Sequence, residues 1–295
     1  MHIATLIAAE RLSAGELSEA LDRLAAAGIP VGPVDSFDPD RACDIQLPGG
    51  PAGVRTALDG AIAGIDVVVQ LADGRAKRLL VADMDSTMIT VECIDELADY
   101  AGLKAEVAAV TERAMRGELD FAEALKARVA LLADMPVETL DRCRRERVRL
   151  MPGARTLVGT MRAAGGRAVL VSGGFTAFAD PVAAEIGFDR AVANRLQVAD
   201  GRLTGEVDQP IVDAATKTSV LQQEAAAMAL AREQVMAVGD GANDVPMLQA
   251  AGLGIAYHAK PVAEAGAAAA IRYGDLTALL HAQGIRRDRW IDVTH

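Results

Sequence analysis

Aromatic and cysteine side chains are scarce in this chain, and each scarcity excludes a class of structure. Aromatic residues make up only 3% of the 295 residues against 51% hydrophobic residues, so the core must consist mainly of Ala, Val, Leu and Ile. The cysteines lie far apart, without C-x-x-C spacing, at Cys43, Cys93 and Cys143. Such scattered thiols indicate a reduced, cytoplasmic protein rather than a disulfide framework or a zinc site. The four histidines are too dispersed to form a zinc cluster.

Long apolar runs and an excess of positive charge are also missing. No apolar stretch approaches the ~20 residues that span a bilayer. Residues 1–16 lack a basic region before their short apolar stretch, which argues against a signal peptide. The formal net charge is −11, from 41 acidic and 30 basic residues. We therefore expect no nucleic-acid partner and no membrane partner, and an anionic ligand would need a few placed cations, a metal or backbone N–H groups.

Residues 1–74 have the pattern of a small α+β domain. Their order of strands and helices is βαββαβ, which is typical of a ferredoxin-like fold. One of the helices, predicted at 51–64, is opened by Pro51. The segment contains no convincing catalytic cluster. Its role is open between a regulatory or dimerising module, like the ACT-type ligand-binding domains, which would make the protein a homodimer, and a packing module without a ligand.

Residues 75–295 have a different pattern. An apolar strand at 78–85 is followed by an almost wholly helical stretch at about 90–150, which has the size of a helical cap insert. Strands and helices then alternate, with strands at 167–174 and 234–240 and a hairpin signalled by Asp200-Gly201. This alternation predicts an α/β fold with a doubly wound parallel sheet. The functional residues should lie at the C-terminal ends of its strands.

Two acidic motifs lie at predicted strand ends. In DMDST, Asp83 and Asp85 follow the apolar run LLVA, and strand alternation points them to the same side. Close carboxylates need a shared proton or a cation, and Mg²⁺ prefers such oxygen ligands. In VGDGANDVPML, Asp240 ends a strand and Asn243 and Asp244 begin the next helix, which suits metal ligation and orientation. Taken alone, each motif also fits an ordinary turn or helix cap.

Two weaker signals lie between these motifs. Ser172 is followed by Gly173 and another glycine after an apolar strand, and a hydroxyl with unhindered N–H groups at a helix start suits phosphate. Gly-Gly after a strand is more often just a turn. Lys217 lies near the start of a later helix. A lone lysine is usually a solvated surface charge.

In this order, the four signals resemble the motif set of the haloacid dehalogenase (HAD) superfamily, over about residues 79–280. The resemblance implies that Asp83 is the nucleophile and forms an aspartyl-phosphate. Asp85 would protonate the leaving alkoxide and then deprotonate the attacking water. Mg²⁺ would be bound by the Asp83 carboxylate, the Asp85 main-chain carbonyl and Asp240.

The same resemblance implies the groups that hold the phosphate. Ser172, the Gly173 N–H and Lys217 would contact its oxygens as charge spreads over them. Asn243 and Asp244 would position the phosphate or a metal-bound water.

Within the helical insert, MITVECIDELA and F-x-x-A-L-x-x-R-V-x-L-L are similar to the phosphoserine phosphatases. The resemblance implies that Glu92 binds the substrate ammonium and Arg128 its carboxylate, whose geometry a guanidinium matches. Met115 and Phe121 would line the pocket beside them. Without the resemblance, Met115 and Phe121 fit a cap core and the two charged residues fit a solvated helix face. The implied reaction is hydrolysis of the small molecule O-phospho-L-serine, the last step of serine biosynthesis.

Other activities remain open. The same chemistry could act on another small phosphate monoester such as phosphothreonine, or transfer the phosphoryl group to homoserine. A signalling module that only accepts phosphate on Asp83 would be shorter and would lack the helical insert. A dinucleotide-binding protein or a serine hydrolase fits poorly, because neither G-x-G-x-x-G after the first strand of the sheet nor G-x-S-x-G is present.

Overall fold

The computed structural model describes residues 1–116 and 118–291, apart from the side chain of Met115. The N-terminal part consists of β1 (His2–Ala8), α1 (Ala14–Ala26), β2 (Val34–Asp38), β3 (Ala42–Leu47), α2 (Val54–Leu58) and β4 (Ile65–Leu71). Its four strands form an antiparallel sheet in the order β2-β3-β1-β4. The βαββαβ order predicted from the sequence is therefore confirmed.

Local chemistry sets the ends of the two N-terminal helices. The Ser13 hydroxyl accepts the Glu16 N–H at 3.3 Å and the Glu16 carboxylate accepts the Ser13 N–H at 2.7 Å, a reciprocal cap that starts α1. Helix α2 is shorter than the predicted 51–64 segment. It starts only after Gly53, at φ +76°, and Gly60, at φ +67°, follows its end closely. Because these left-handed positions interrupt helical geometry, only a short helix fits between them.

The second part begins with β5 (Leu79–Ala82) and continues into the helical insert, α3 (Cys93–Tyr100), α4 (Lys104–Met115), α5 (Phe121–Ala130) and α6 (Glu138–Arg147). The chain then forms α7 (Ala154–Ala163), β6 (Arg167–Phe175), α8 (Thr176–Ile186), β7 (Arg190–Asn194), β8 (Leu196–Ala199), β9 (Arg202–Val207) and α9 (Ala214–Ala227). It ends with β10 (Val235–Gly239), α10 (Val245–Ala250), β11 (Leu253–Tyr257), α11 (Pro261–Gly266), β12 (Ala269–Ile271) and α12 (Ala278–Ala282).

Six of these strands form one parallel sheet, in the order β12-β11-β10-β5-β6-β7. Strand β5 is buried along its whole length because both faces of the sheet are covered. Leu80 and Ala82 pack in the apolar cluster that includes α7 and α8, whereas Leu79 and Val81 pack in the cluster that includes α9 and α10. This is the doubly wound α/β architecture that the sequence predicts, with the helical cap inserted after its first strand. The fold class is confirmed.

The hairpin and one strand differ in how well the sequence anticipates them. Asp200 and Gly201 take φ values of +50° and +73° between β8 and β9, as the turn signal predicts. Strand β7 lies just before this hairpin, and the sequence pattern does not predict it as a separate strand. It belongs to the large sheet, where it is five residues long and, among the described strands, pairs only with β6.

The N-terminal sheet is fastened to the second part by buried polar contacts. Asp66 on β4 accepts the N–H groups of Arg272 and Gly274 at 2.7 and 2.8 Å, and Asp38 at the end of β2 lies 2.9 Å from the His281 ring nitrogen. The domain boundary at residue 74 stays a prediction. Among the described residues, no helix combines the length and apolar character needed to cross a membrane.

Candidate active site

The acidic motifs meet at one edge of the parallel sheet. Strands β5 and β10 are neighbours, and Asp83 follows the first strand while Asp240 follows the second. The Asp83 N–H extends the ladder by donating to the Val238 carbonyl at 3.0 Å. Ser172 comes from β6, on the other side of β5. Parallel strands end at the same edge, so three separate segments bring their functional side chains together there.

Lys217 forms ion pairs with two carboxylates at this sheet edge. Its Nζ lies 2.6 Å from Asp83 Oδ1 and 2.7 Å from Asp244 Oδ1, and its side chain is 1% exposed. The second oxygen of Asp244 accepts the N–H groups of Asp240 and Gly241 at 3.1 and 3.0 Å. Asp244 thereby fixes both the lysine and the loop that carries Asp240.

The negative charge at this edge exceeds the positive charge. Carboxylate oxygens of Asp83, Asp240 and Asp244 lie within 4.8 Å of one another, and all three residues are buried. Burial raises the pKa of Asp83 well above its usual value, with like charges adding to the effect and Lys217 opposing it. Burial also raises the pKa of Asp240, although Lys260 lies 3.3 Å away. An all-oxygen set with surplus negative charge fits a hard divalent cation.

The two lysines are held in their charged forms. Burial by itself would lower the pKa of Lys217, but Asp83 and Asp244 raise it above the ordinary value. Burial would also lower the pKa of Lys260, but the charge of Asp240 outweighs that effect and raises it. Sequence reasoning missed Lys260. Its signal is positional, because it follows β11, which ends at the same sheet edge as β10.

Asp85 has a different environment from Asp83. Its Oδ1 accepts the Cys93 N–H at 3.2 Å at the start of α3. Burial and the charge of Glu92 raise the pKa of Asp85 to about 7, although the Cys93 N–H opposes this shift. The Ser86 hydroxyl donates to Glu92 at 2.8 Å, which orients that carboxylate. Near neutral pH, Asp85 can therefore both hold and release a proton.

The Ser172–Gly174 segment lies close to the carboxylate of Asp85. The Ser172 hydroxyl oxygen accepts the Gly174 N–H at 2.9 Å. A Cβ atom at Gly174 would lie 3.0 Å from Asp85 Oδ2, and one at Gly173 would lie 3.0 Å from the Phe121 ring. These two glycines thus allow the backbone to pack directly against Asp85 and the cap helix α5.

A cavity of about 510 Å³ opens between the sheet edge and the cap. Nine residues predicted to act in the site line it: Asp83, Asp85, Glu92, Phe121, Arg128, Ser172, Gly173, Asp240 and Asn243. Lys217 and Asp244 lie behind Asp83 instead, at 1% and 0% exposure. The side chain of Met115 lies outside the described residues.

The cap supplies charged groups of both signs to this cavity. Arg128 on α5 is half-buried, and its Nε donates to the Ala124 carbonyl at 3.2 Å. Burial lowers the pKa of Arg128, with Asp95 and Glu92 opposing the shift. Phe121 is 36% exposed, so it belongs to the cavity wall rather than to a cap core. The cavity therefore combines an anion, a cation and an aromatic ring opposite the Asp83 carboxylate.

Comparisons with known proteins agree with this geometry. A profile of haloacid dehalogenase-like hydrolases matches residues 80–249. The chain is 48% identical to a phosphoserine phosphatase of Streptomyces coelicolor over 239 residues, which cover 80% of this chain and 58% of the relative. It is 42% identical to phosphoserine phosphatase SerB2 of Mycobacterium tuberculosis over 286 residues, which cover 94% of this chain and 69% of the relative.

A solved structure matches nearly the whole chain. The unliganded structure of a probable phosphoserine phosphatase from Vibrio cholerae has a TM-score of 0.78 and 35% identity, and the match covers 96% of this chain and 87% of that one. The chain spans less than two thirds of the Streptomyces relative. These matches confirm the resemblance to the phosphoserine phosphatases, and the chain belongs to the family of haloacid dehalogenase-like hydrolases.

Proposed function

We propose that the chain hydrolyses O-phospho-L-serine to L-serine and phosphate through an aspartyl-phosphate on Asp83. The observation that carries the proposal is the content of one cavity. Asp83 and Asp85 lie at its sheet side, and Glu92 and Arg128 come from the helical insert. A phosphomonoester with an ammonium and a carboxylate group matches both sets of side chains at once.

In the first chemical step, an Asp83 carboxylate oxygen attacks phosphorus and the serine oxygen leaves. Protonated Asp85 gives that oxygen its proton, so L-serine departs as the neutral alcohol. The pKa of Asp85, near 7, suits this task because an appreciable fraction of the residue is protonated at neutral pH. In the second step, Asp85 takes a proton from water, which attacks the aspartyl-phosphate and releases phosphate.

Charge on the phosphoryl oxygens is held by fixed groups of the chain. Ser172, the Gly173 N–H and Lys217 would provide the donors: Ser172 and Gly173 line the cavity together with Asn243, and Lys217 lies behind Asp83. Because Lys217 already bridges Asp83 and Asp244, it needs little rearrangement as charge develops. Lys260 adds a second cation at the cavity wall.

Mg²⁺ is the proposed cofactor. The Asp83 carboxylate, the Asp85 main-chain carbonyl and Asp240 would hold it, and Asp244 fixes the loop of Asp240 through two N–H groups. When bound, the ion neutralises part of the negative charge shared by the carboxylates and the phosphate.

Substrate choice is assigned to the cap. Glu92, oriented by the Ser86 hydroxyl, would accept the ammonium of the substrate, and Arg128 would bind its carboxylate. The Phe121 ring packs against Gly173 and limits the space between these groups and the phosphate. The product places the enzyme in serine biosynthesis. A cytoplasmic location and a homodimer stay predictions.

The deciding experiment measures inorganic phosphate released from L-phosphoserine, L-phosphothreonine, a sugar phosphate and p-nitrophenyl phosphate, each with Mg²⁺ and with EDTA. We expect Mg²⁺-dependent turnover with a strong preference for L-phosphoserine. Preference for another ester would discard the substrate but keep the chemistry of Asp83. Activity that survives EDTA would contradict the metal assignment. A stable phosphorylated protein without turnover would favour the phospho-accepting module.

A further inference from the structure

Asn194, at the end of β7, is a buried amide that none of the sequence motifs includes. It is 2% exposed. Its Nδ2 donates to the Gly173 carbonyl at 2.9 Å and to the Val212 carbonyl at 3.3 Å, while its Oδ1 accepts the Val212 N–H at 2.8 Å. Both N–H donors and the oxygen of the amide are therefore engaged, and all three bonds go to backbone groups.

The bond to the Gly173 carbonyl lies at a register shift between β6 and β7. Val171 on β6 is opposite Val192 on β7, and the next pair is Phe175 with Asn194. Four residue steps on β6 thus correspond to two steps on β7, and the intervening residues 172–174 bulge out of the ladder. The bulge has no regular strand partner, and the Asn194 side chain provides one.

This contact fixes a peptide unit at the phosphate cradle. The Gly173 carbonyl and the Gly174 N–H belong to the same planar peptide group. Asn194 holds the carbonyl, and the Ser172 hydroxyl oxygen accepts the N–H at 2.9 Å. Because the group is anchored at both ends, the direction of the adjoining Ser172 side chain and Gly173 N–H is set as well.

The other two bonds reach the segment that carries the buried lysine. Val212 immediately precedes Asp213, whose side chain caps α9 by accepting the Thr216 N–H at 2.8 Å. Lys217 lies in the first turns of that helix, with its Nζ 2.6 Å from Asp83. Asn194 therefore ties the bulge at residues 172–174 to the start of the lysine-bearing helix.

We propose that Asn194 is a positioning residue that sets the spacing between the bulge at residues 172–174 and Lys217, and so the affinity of the site for a phosphoryl group. The inference rests on the proposed function in that a phosphoryl group is taken as the bound species. Asn194 acts through backbone groups that contact this ligand and does not itself line the cavity.

The test is the variant Asn194→Asp, measured at about pH 8. The change keeps the size and the acceptor for the Val212 N–H, but a carboxyl group carries at most one donor proton where the amide carries two, so at least one of the Gly173 and Val212 carbonyls loses its donor. We expect calorimetry with Mg²⁺ present to show inorganic phosphate binding weakened about 10- to 100-fold. Mg²⁺ binding without phosphate should stay within about twofold, because Asn194 contacts none of the three clustered carboxylates.

Gln283 offers a matched control elsewhere in the fold. It is also a buried amide, 3% exposed, whose Oε1 accepts the Lys77 N–H and whose Nε2 donates to the Leu279 carbonyl, both at 3.0 Å. Gln283→Glu imposes the same chemical change far from the phosphate cradle. We expect it to lower the thermal unfolding midpoint while leaving phosphate affinity unchanged.

Unchanged phosphate affinity in folded Asn194→Asp, or an equal loss in Gln283→Glu, would overturn the positioning role. If Asn194→Asp does not fold, Asn194→Ala removes the three bonds without adding charge and is held to the same criterion. A wild-type protein that binds phosphate but does not hydrolyse phosphoserine would sink the proposed function alone, since Asn194 is judged on phosphate binding.

Discussion

Asp83 lies in a cluster where negative charges outnumber the positive charges that contact them. Lys217 is the buried cation in contact with it, and that lysine is shared with Asp244. Burial raises the pKa of Asp83, and the charges of Asp244 and Asp85 raise it further. The side chain that we propose as the nucleophile is thus one that the folded protein accommodates at a cost in stability, as is common for catalytic groups.

Asp83→Asn should separate the role of Asp83 in catalysis from its cost to stability. We expect turnover of phosphoserine to fall by roughly 10³-fold or more, because the amide is a far poorer nucleophile. The thermal unfolding midpoint should not fall, since a buried like charge beside Asp244 is removed. Phosphate release and a thermal melt check the two halves. Asp22→Asn, an exposed change on α1, serves as the control, and retained turnover in Asp83→Asn would remove Asp83 as the nucleophile.

Arg128 is the residue on which substrate choice should depend. Arg128→Ala removes the cation that we propose to bind the substrate carboxylate. We expect the transition state for phosphoserine to lose about 2–5 kcal/mol of stabilisation, which lowers kcat/KM accordingly. The value for p-nitrophenyl phosphate, which has no carboxylate, should change little. Lys126→Ala, exposed on the same helix α5, is the matched control. An equal loss on both substrates would count against a carboxylate clamp.

The sequence pattern predicts those elements whose own residues form a continuous apolar run. The apolar runs of β5 and β10 are strands buried on both faces, and the polar residues that follow them lie at one edge as predicted. The motif resemblance then adds the cap residues, which spacing alone does not single out. The sequence therefore predicts the fold class, and nine of its candidate residues line one cavity.

What the sequence leaves out depends on contacts between distant segments. Strand β7 is short and is defined by its pairing with β6. The predicted helix at 51–64 is an exception, because glycines of its own segment, Gly53 and Gly60, shorten it by adopting left-handed conformations. Lys260 lines the cavity, and Asn194 contacts the Gly173 carbonyl, only because neighbouring strands end at the same edge. No local pattern encodes such neighbours, since strand order is a property of the folded sheet.

The segment after β12 depends on a side chain from the N-terminal sheet. Asp66 on β4 is 1% exposed and accepts the N–H groups of Arg272, Tyr273 and Gly274. In Asp66→Ala these donors lose their acceptor, so we expect the free energy of unfolding to fall by about 1–3 kcal/mol. Urea unfolding measures this, with Asp35→Ala on the exposed face of β2 as the control. A stability equal to that of the control would show that the contact contributes nothing.

Catalytic constants of Asp66→Ala should stay close to the wild-type values. Asp66 does not line the active-site cavity, and its contacts lie at the junction of the two sheets. A large fall in kcat with unchanged stability would instead mean that this junction acts on the active site.

The junction as a whole carries a second buried cluster, and it includes the only tryptophan of the chain. The His281 ring lies 2.9 Å from Asp38 and 4.9 Å, between ring centroids, from Trp290. Asp38 also accepts the Arg287 N–H at 3.2 Å. These contacts join β2, α12 and the C-terminal segment, so tryptophan fluorescence should report directly on whether the N-terminal sheet stays docked.

Both titratable members of this cluster make the junction sensitive to acid. Burial lowers the pKa of His281, with Asp38 opposing, so the folded state favours the neutral ring and loses stability as pH falls below the ordinary value of 6.5. Burial would raise the pKa of Asp38, but hydrogen bonds from His281 and the Arg287 N–H lower it. The stability that Asp38 contributes is present above its ordinary pKa of 3.8 and is lost as pH falls through the folded value.

The two groups therefore act in the same direction, and urea unfolding followed by Trp290 fluorescence should show a midpoint that falls as the pH is lowered from about 7 to 3. His281→Gln removes the histidine titration while keeping a donor for Asp38. Its midpoint should change less than that of the wild type between about pH 7 and 5, and the two slopes should converge below about pH 4, where Asp38 titrates. His2→Gln, outside the cluster, should keep the wild-type slope. If His281→Gln follows the wild-type slope throughout, the acid sensitivity of the molecule originates elsewhere and the docking of its N-terminal sheet does not depend on this histidine.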